Sequence, residues 1–469
     1  MPSDISKLML ENKSAWELAD AKLRERYFGF AGDYSGFLDD SRTERLAVDR
    51  LKELAEKQGF LPLEKVKAWK AGQKVYAVNR GKNIFLAVLG QDPLENGASL
   101  VASHLDVPRL DLKQRPLYQD DELNQALLRT HYYGGVKKYQ WVNIPLGLYG
   151  KVVLRSGKEV DLAIGQSDDD PCFVITDVLP HLNKKDQADR KSGETIKGEE
   201  MVVLCGGIPV DDAEAKSRVK LAVLEHLNKK YGMDEEDLIS SEIEVVPLIK
   251  SRFIGFDRSF LGGYGHDDRI CSYTSARAIF DVKQPKRTAV AACVDKEEIG
   301  SEGNTGMQAM FLWNFLGDLM ALSRPDYSEA ALRRCLSHTR VLSADTNAAV
   351  EPNFKGVHEM SNAGRAGYGI MMVKYTGHAG KSGASDANAE FVGRVRKIFN
   401  DNNIPWQCGA MGKVDEGGGG TVAKYLAKLG MEVLDCGPAV MSLHSPFEVV
   451  SVADVYVSYQ GYLAFFQAE

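Results

Sequence analysis

Residues 287–300 read RTAVAACVDKEEIG. Ala289 to Val294 form an unbroken apolar run, and Asp295, Glu297 and Glu298 follow it directly. A short run without alternation reads as a sheet strand buried on both faces. Acidic residues at its carboxyl end then stand where doubly wound folds gather their sites. The same texture recurs downstream in TRVLSAD (339–345), YGIMMVKY (368–375) and MEVLDCG (431–437). Between these strands lie helix-like segments, NTGMQAMFLWNFLGDLMAL (304–322), SDANAEFVGRVRKIFND (385–401) and TVAKYLAKLG (421–430). Strand–helix alternation of this kind predicts an α/β fold, a mostly parallel central sheet flanked by helices.

Upstream, the first sixty residues space their apolar side chains three and four apart. They predict helices over 14–38 and 41–60, with Ser14 and Ser41 as N-caps. KVYAVNRGKNIFLAVLG (74–90) reads as two strands joined at Arg80-Gly81-Lys82, and SLVAS (99–103) as a strand that ends at His104. The middle of the chain has another texture. WVNIPLGLYGKVVLRSGKEVDLAIG (141–165), CFVITDVL (172–179) and SEIEVVPLI (241–249) are β-like, and 212–232 is one amphipathic helix. The expected organisation is a discontinuous catalytic domain, 1–107 and 255–469, with a mostly β domain inserted at 108–254.

The chain has 469 residues, 44% apolar and 26% charged, which permits a full-sized core and excludes wholesale disorder. Its net charge of −7 lacks the basic excess of a nucleic-acid binder. No apolar run is long enough for a bilayer span, and no basic-then-apolar leader opens the sequence. Seven cysteines, an odd number without a C-x-x-C pair, read as buried thiols in a reducing, cytoplasmic setting.

Two nucleotide-like motifs carry nothing. GHAGKS (377–382) lacks the spacer of a P-loop, and GGYG (262–265) lacks the third glycine of a dinucleotide fingerprint. The chemistry lies in carboxylates and imidazoles near strand ends. Read alone, His104-Leu105-Asp106 is a surface turn, and His266-Asp267-Asp268 is a helix cap. Read alone, Asp345 and His444 are structural, and Glu297-Glu298 is as well explained by a solvated loop. Together, His104, Asp267, Glu298, Asp345 and His444 supply two imidazoles and three carboxylates. One bridging carboxylate, with one imidazole and one further carboxylate per ion, satisfies two zinc ions and leaves room for water.

Five ordered segments resemble the metal-site motifs of the aspartyl aminopeptidase/aminopeptidase I family of dinuclear zinc exopeptidases. They are SHLDVPRLDLK (103–113), HDDRICS (266–272), DKEEIGS (295–301), SADTNAAVEPN (343–353) and SLHSPFE (442–448). HYYGGVKKYQWVNIPLGLYGKVV (131–153) resembles the entry to the family's inserted dimerisation domain. The resemblance implies an aminopeptidase with two Zn2+ per subunit, for which Co2+ or Mn2+ could substitute. It implies His104 as a zinc ligand oriented by Asp106, and Asp267 as the bridging carboxylate. Glu297 would be the general base, Glu298 the ligand beside it, and Asp345 and His444 the completing ligands. Lys374 would hold an acidic substrate side chain, the alternative being a plain strand-end surface lysine. Peptides are the implied substrates, with a preference for acidic N-terminal residues. Dimers assembling into a homo-dodecamer are the implied state.

The sequence departs from the family at Ala348, Tyr139, Asn143, Pro145 and GGGGT (417–421). These are oxyanion and substrate-side positions, and they point to a bacterial branch. Another dinuclear metal hydrolase (a dipeptidase, carboxypeptidase or N-acyl amino acid amidohydrolase) shares the same core. A non-catalytic metal-binding scaffold is the reading from a different class.

Overall fold

The computed structural model describes residues 5, 8–167, 169–324 and 326–468. The chain divides into two units, one of Met1–Asp106, Ser251–Leu443 and Glu448–Glu469, the other of Val107–Lys250 and His444–Phe447.

The first unit is built on a mixed sheet whose centre is parallel. Ala289–Val294 pairs in parallel with Ser99–His104, which pairs in parallel with Arg340–Ser343, which pairs in parallel with Glu432–Met441. Antiparallel strands flank this centre, Asn83–Val88 on one side and Glu448–Ser451 on the other. Side chains alternate between the faces, as a two-residue period requires. Ala289, Ala291 and Cys293 join one core, with Val101, Ile84 and Leu86. Val290, Ala292 and Val294 join the other, with Leu100, Phe85 and Leu316. Helices Ala21–Asp40, Glu44–Lys57, His266–Asp281 and Val452–Gln467 supply the first core, and Phe311–Ser323 and Glu329–His338 the second. Both faces are therefore covered, which explains why the central strands read as continuous apolar runs.

Local corrections have physical causes. Ser14 is an N-cap, of the short helix Ala15–Leu18, and it forms a capping box with Glu17. Ser41 is not an N-cap: its N–H donates to Leu38 O and closes the preceding helix, while Thr43 caps Glu44–Lys57 by accepting the Leu46 N–H at 3.3 Å. The helix expected from 304 begins at Phe311. Gly306 instead abuts the chain at Ser301, where a Cβ would lie 2.1 Å from the Ser301 carbonyl oxygen.

The second unit contains a six-stranded sheet in the order Glu159–Ile164, Leu146–Val153, Ser241–Pro247, Arg109–Asp120, Gln125–Tyr133, Val202–Gly206. All its pairings are antiparallel. CFVITDVL is not a ladder strand. Phe173 and Val174 make single bridges to two different strands, at Leu146 and Leu204, so the segment crosses between them. No helix among the described residues is long and apolar enough to cross a membrane.

Candidate metal centre

Register brings the acids together. Val294 pairs with His104 and Ser343 with Ala102, so three adjacent parallel strands end at one level. His104 closes the middle strand, Glu297 and Glu298 follow the second, and Asp345 follows the third. Gly437 lets the next strand pass close to this edge, since a Cβ there would lie 2.0 Å from Asp345 O.

His104 is buried, with its two ring nitrogens in different surroundings. Nδ1 lies 3.0 Å from Asp106 O and 3.3 Å from the Asp106 carboxylate. Nε2 lies 3.3 Å from Asp267, 3.6 Å from Asp345 and 4.0 Å from Glu297. A proton held on Nδ1 by Asp106 directs the Nε2 lone pair toward the carboxylates, the usual arrangement of a metal-binding imidazole. The strand is tied to the acid-bearing helix by Ser272, whose hydroxyl donates to His104 O at 2.7 Å.

Asp267 and Asp268 precede the regular part of helix His266–Asp281, with ψ angles of 107° and 31°. They are not caps of the ordinary kind. Asp268 accepts the His104 backbone N–H at 3.2 Å through Oδ2, and the Asp267 N–H donates to Glu448 at 3.0 Å. Glu297–Ile299 is a single 3₁₀ turn. The Asp106 carboxylate accepts the Glu297 N–H at 3.0 Å and the Glu298 N–H at 3.1 Å. One buried carboxylate thus both orients the imidazole and holds the turn that carries two glutamates.

Two sets of ligand-type atoms result: His104, Asp267 and Glu298, and His104, Asp268 and Asp345, each set within 4.8 Å of one another. Without a cation this crowding is costly. Burial and then Asp345 push the Asp268 carboxyl well above its ordinary range. Burial and then Asp345 push Glu297 up to about 8. Burial alone would depress the His104 imidazole, but Asp106, Asp267 and Asp345 carry it well above its ordinary value. Asp268 is buried, and beside the His104 N–H its carboxylate meets only the weakly donating Cys271 thiol. Buried carboxylates are normally paired or bound to metal, so the donor set fits divalent cations.

The signs of these shifts agree. A carboxyl or imidazole whose pKa is raised on folding stabilises the fold at low pH and loses that contribution as pH rises through the folded value. The metal-free protein is therefore expected to melt at least about 5 °C lower at pH 8 than at pH 5.5. Zn2+ should close that gap, because it takes over the charge balance. Thermal melts at both pH values, with and without metal, check this; a pH-independent Tm of the stripped protein would contradict it.

His104, Asp106, Asp267, Glu297, Glu298 and Asp345 stand in this one unit. His444 belongs to the second unit, where its Nδ1 lies 2.9 Å from Gly135 O. Lys374 is half-exposed and paired with Asp386 at 3.3 Å. Sequence reasoning missed Asp268 and Glu448. Nothing local distinguishes Asp268 from a helix cap, and in SLHSPFE the Glu448 side chain has no neighbour in sequence that signals a role.

Residues 37–466 match the family described as aminopeptidase I zinc metalloprotease (M18). A probable M18 family aminopeptidase 1 of Clostridium acetobutylicum is 45% identical over 469 residues, covering 99% of each chain. The crystal structure of an M18 family aminopeptidase from Thermotoga maritima superposes with a TM-score of 0.94 at 44% identity, covering 98% of this chain and 100% of that one. That of aminopeptidase I from Clostridium acetobutylicum superposes with a TM-score of 0.92 at 42% identity, over 98% and 100%.

Proposed function

The chain belongs to the aminopeptidase I zinc metalloprotease (M18) family and is an aminopeptidase of the metalloprotease class; from that premise we propose a two-zinc hydrolysis of N-terminal peptide bonds. The observation that carries this reading is the pair of ligand sets sharing His104. His104, Asp267, Asp268, Glu298 and Asp345 would hold the ions, with His444 completing the set on the strength of the family resemblance. Bound there, the cations would supply Lewis acidity and make water a nucleophile near neutral pH. The nitrogen and oxygen donors suit Zn2+, and Co2+ or Mn2+ could replace it.

The chain's own groups then do the proton work. Glu297 accepts a proton from the attacking water and returns it to the leaving amine. Its burial supports this role, because a desolvated carboxylate is more basic. Asp106 keeps the imidazole and the glutamate turn in place and touches no substrate. Lys374 is proposed to meet an acidic N-terminal side chain.

The test is a panel of free and N-acetylated peptides with acidic, basic or apolar first residues, assayed with Zn2+, Co2+ or Mn2+. Free peptides should be cleaved and acetylated ones left intact. Lys374→Ala should lower the rate on acidic residues about tenfold, the scale of one lost ion pair in a site. Equal cleavage of blocked peptides would sink the aminopeptidase assignment. Dimers assembling into a dodecamer, with the β-rich second unit as the pairing element, are proposed from the family resemblance; light scattering that found a monomer would refute this. Seven free thiols support a reducing, cytoplasmic location, although only four of them are buried and Cys172 and Cys408 are exposed.

A further inference from the structure

The turn that carries Glu297 and Glu298 is strained at both ends. Lys296 precedes it at φ 67° and Ser301 follows it at φ 58°, both left-handed and neither a glycine. Left-handed backbone at such residues persists only where surrounding groups over-determine it. At the front, the Asp106 carboxylate takes two of the turn's N–H groups. At the rear, Gly300 N–H closes the turn onto Glu297 O at 2.9 Å. The outward carbonyl of Gly300 accepts two side-chain hydrogen bonds, from Tyr425 Oη at 2.7 Å and from Gln308 Nε2 at 3.0 Å.

Tyr425 lies 125 residues from Gly300 in the sequence, on the helix Ala423–Ala427. Its ring is partly buried against the core behind the sheet. Tyr425 and Gln308 line the same open surface depression. The helix is itself fixed from beneath. Thr421, two residues ahead of it, donates to the buried Asp435 at 2.5 Å and accepts the Ala423 N–H at 3.2 Å. Asp435 stands on the strand that pairs with Arg340–Ser343, beside the Asp345 edge. The hydroxyl thus donates, at the protein surface, to the carbonyl of the residue that closes the strained turn.

We propose that Tyr425, seconded by Gln308, is a positioning residue for Glu297 and Glu298, clamping the rear of their turn through Gly300 O as Asp106 clamps the front. This rests on the aminopeptidase reading above. A misplaced catalytic group costs up to about a hundredfold per ångström. The effect should therefore fall on kcat, since neither side chain is placed on the substrate.

Tyr425→Phe keeps the ring and removes only the donor. It is expected to keep its Tm and KM and to lose about tenfold in kcat; the pair Tyr425→Phe/Gln308→Leu should lose about a hundredfold. The visible absorption bands of the Co2+-loaded protein give a second readout independent of turnover. They should shift in the pair, because Glu298 rides on the turn. Tyr425→Phe with wild-type kcat, or a pair with an unaltered Co2+ spectrum, overturns the proposal. If Tyr425→Phe does not fold, Gln308→Leu alone carries the same test with the same two criteria. A wild-type protein inactive on every free peptide would sink the aminopeptidase reading instead, while the spectrum would still report on the clamp.

Discussion

Glu297→Gln is expected to lose three to four orders of magnitude in kcat while keeping its full complement of metal, roughly the upper range for removal of a general base. Gln matches Glu in shape and cannot take a proton. The substitution leaves the turn's own hydrogen bonds in place, because Asp106 holds the backbone N–H groups and not the side chain. Glu297 lies in neither of the two ligand sets, which supports assigning it to proton transfer. Its Oε2 is 4.0 Å from His104 Nε2, close enough to reach a water held among these side chains. Metal content by mass spectrometry and kcat on a free peptide decide it together. Near-normal turnover would remove Glu297 as the base. A large loss accompanied by loss of metal would make Glu297 a ligand instead.

Asp268→Asn is expected to weaken metal binding by about a hundredfold or more, since losing a ligand should cost at least as much as the upper end of losing a ligand's partner. The residue is buried, with one carboxylate oxygen on the His104 N–H and the Cys271 thiol as a further, weak donor to the group. Asparagine would preserve the first contact only by its carbonyl. It would present an amide or a neutral oxygen where the second set needs charge. Glu448→Gln should be milder, about tenfold, because Glu448 acts through the Asp267 main chain. Competition against a chromophoric chelator measures both. If Asp268→Asn binds two equivalents as tightly as wild type, its carboxylate serves the fold and not the metal. Chelation followed by dialysis should abolish activity in the wild type, with recovery on adding Zn2+.

Much of the site is legible in local sequence because parallel strands announce themselves. AVAACV, SLVAS and TRVLS are apolar runs that stop at polar residues, and their ends carry Glu297, Glu298, His104 and Asp345. Sequence alone leaves open which of those ends meet. Strand order places the segment at 289–294 beside 99–104 and that beside 340–343, across 184 and 235 intervening residues. Ser41 does not cap the second long helix for a related reason. Ser and Thr two positions apart are equally able to cap, and the exit of the preceding helix chose Thr43.

Asp268 shows the same division more sharply. Its neighbour Asp267 carries the identical side chain, and periodicity treats both as opening a helix. Burial separates them from any cap, and burial is contributed by residues such as His104 and Asp345 that lie far along the chain. The amino-acid order determined the central strands, the helices between them and the chemical kind of every donor, since these follow from side-chain type and short-range spacing. The folded chain alone decided the distances, the desolvation that crowds charge around His104, and the clamps on the glutamate turn. Those quantities depend on which distant segments become neighbours, and no local pattern encodes that.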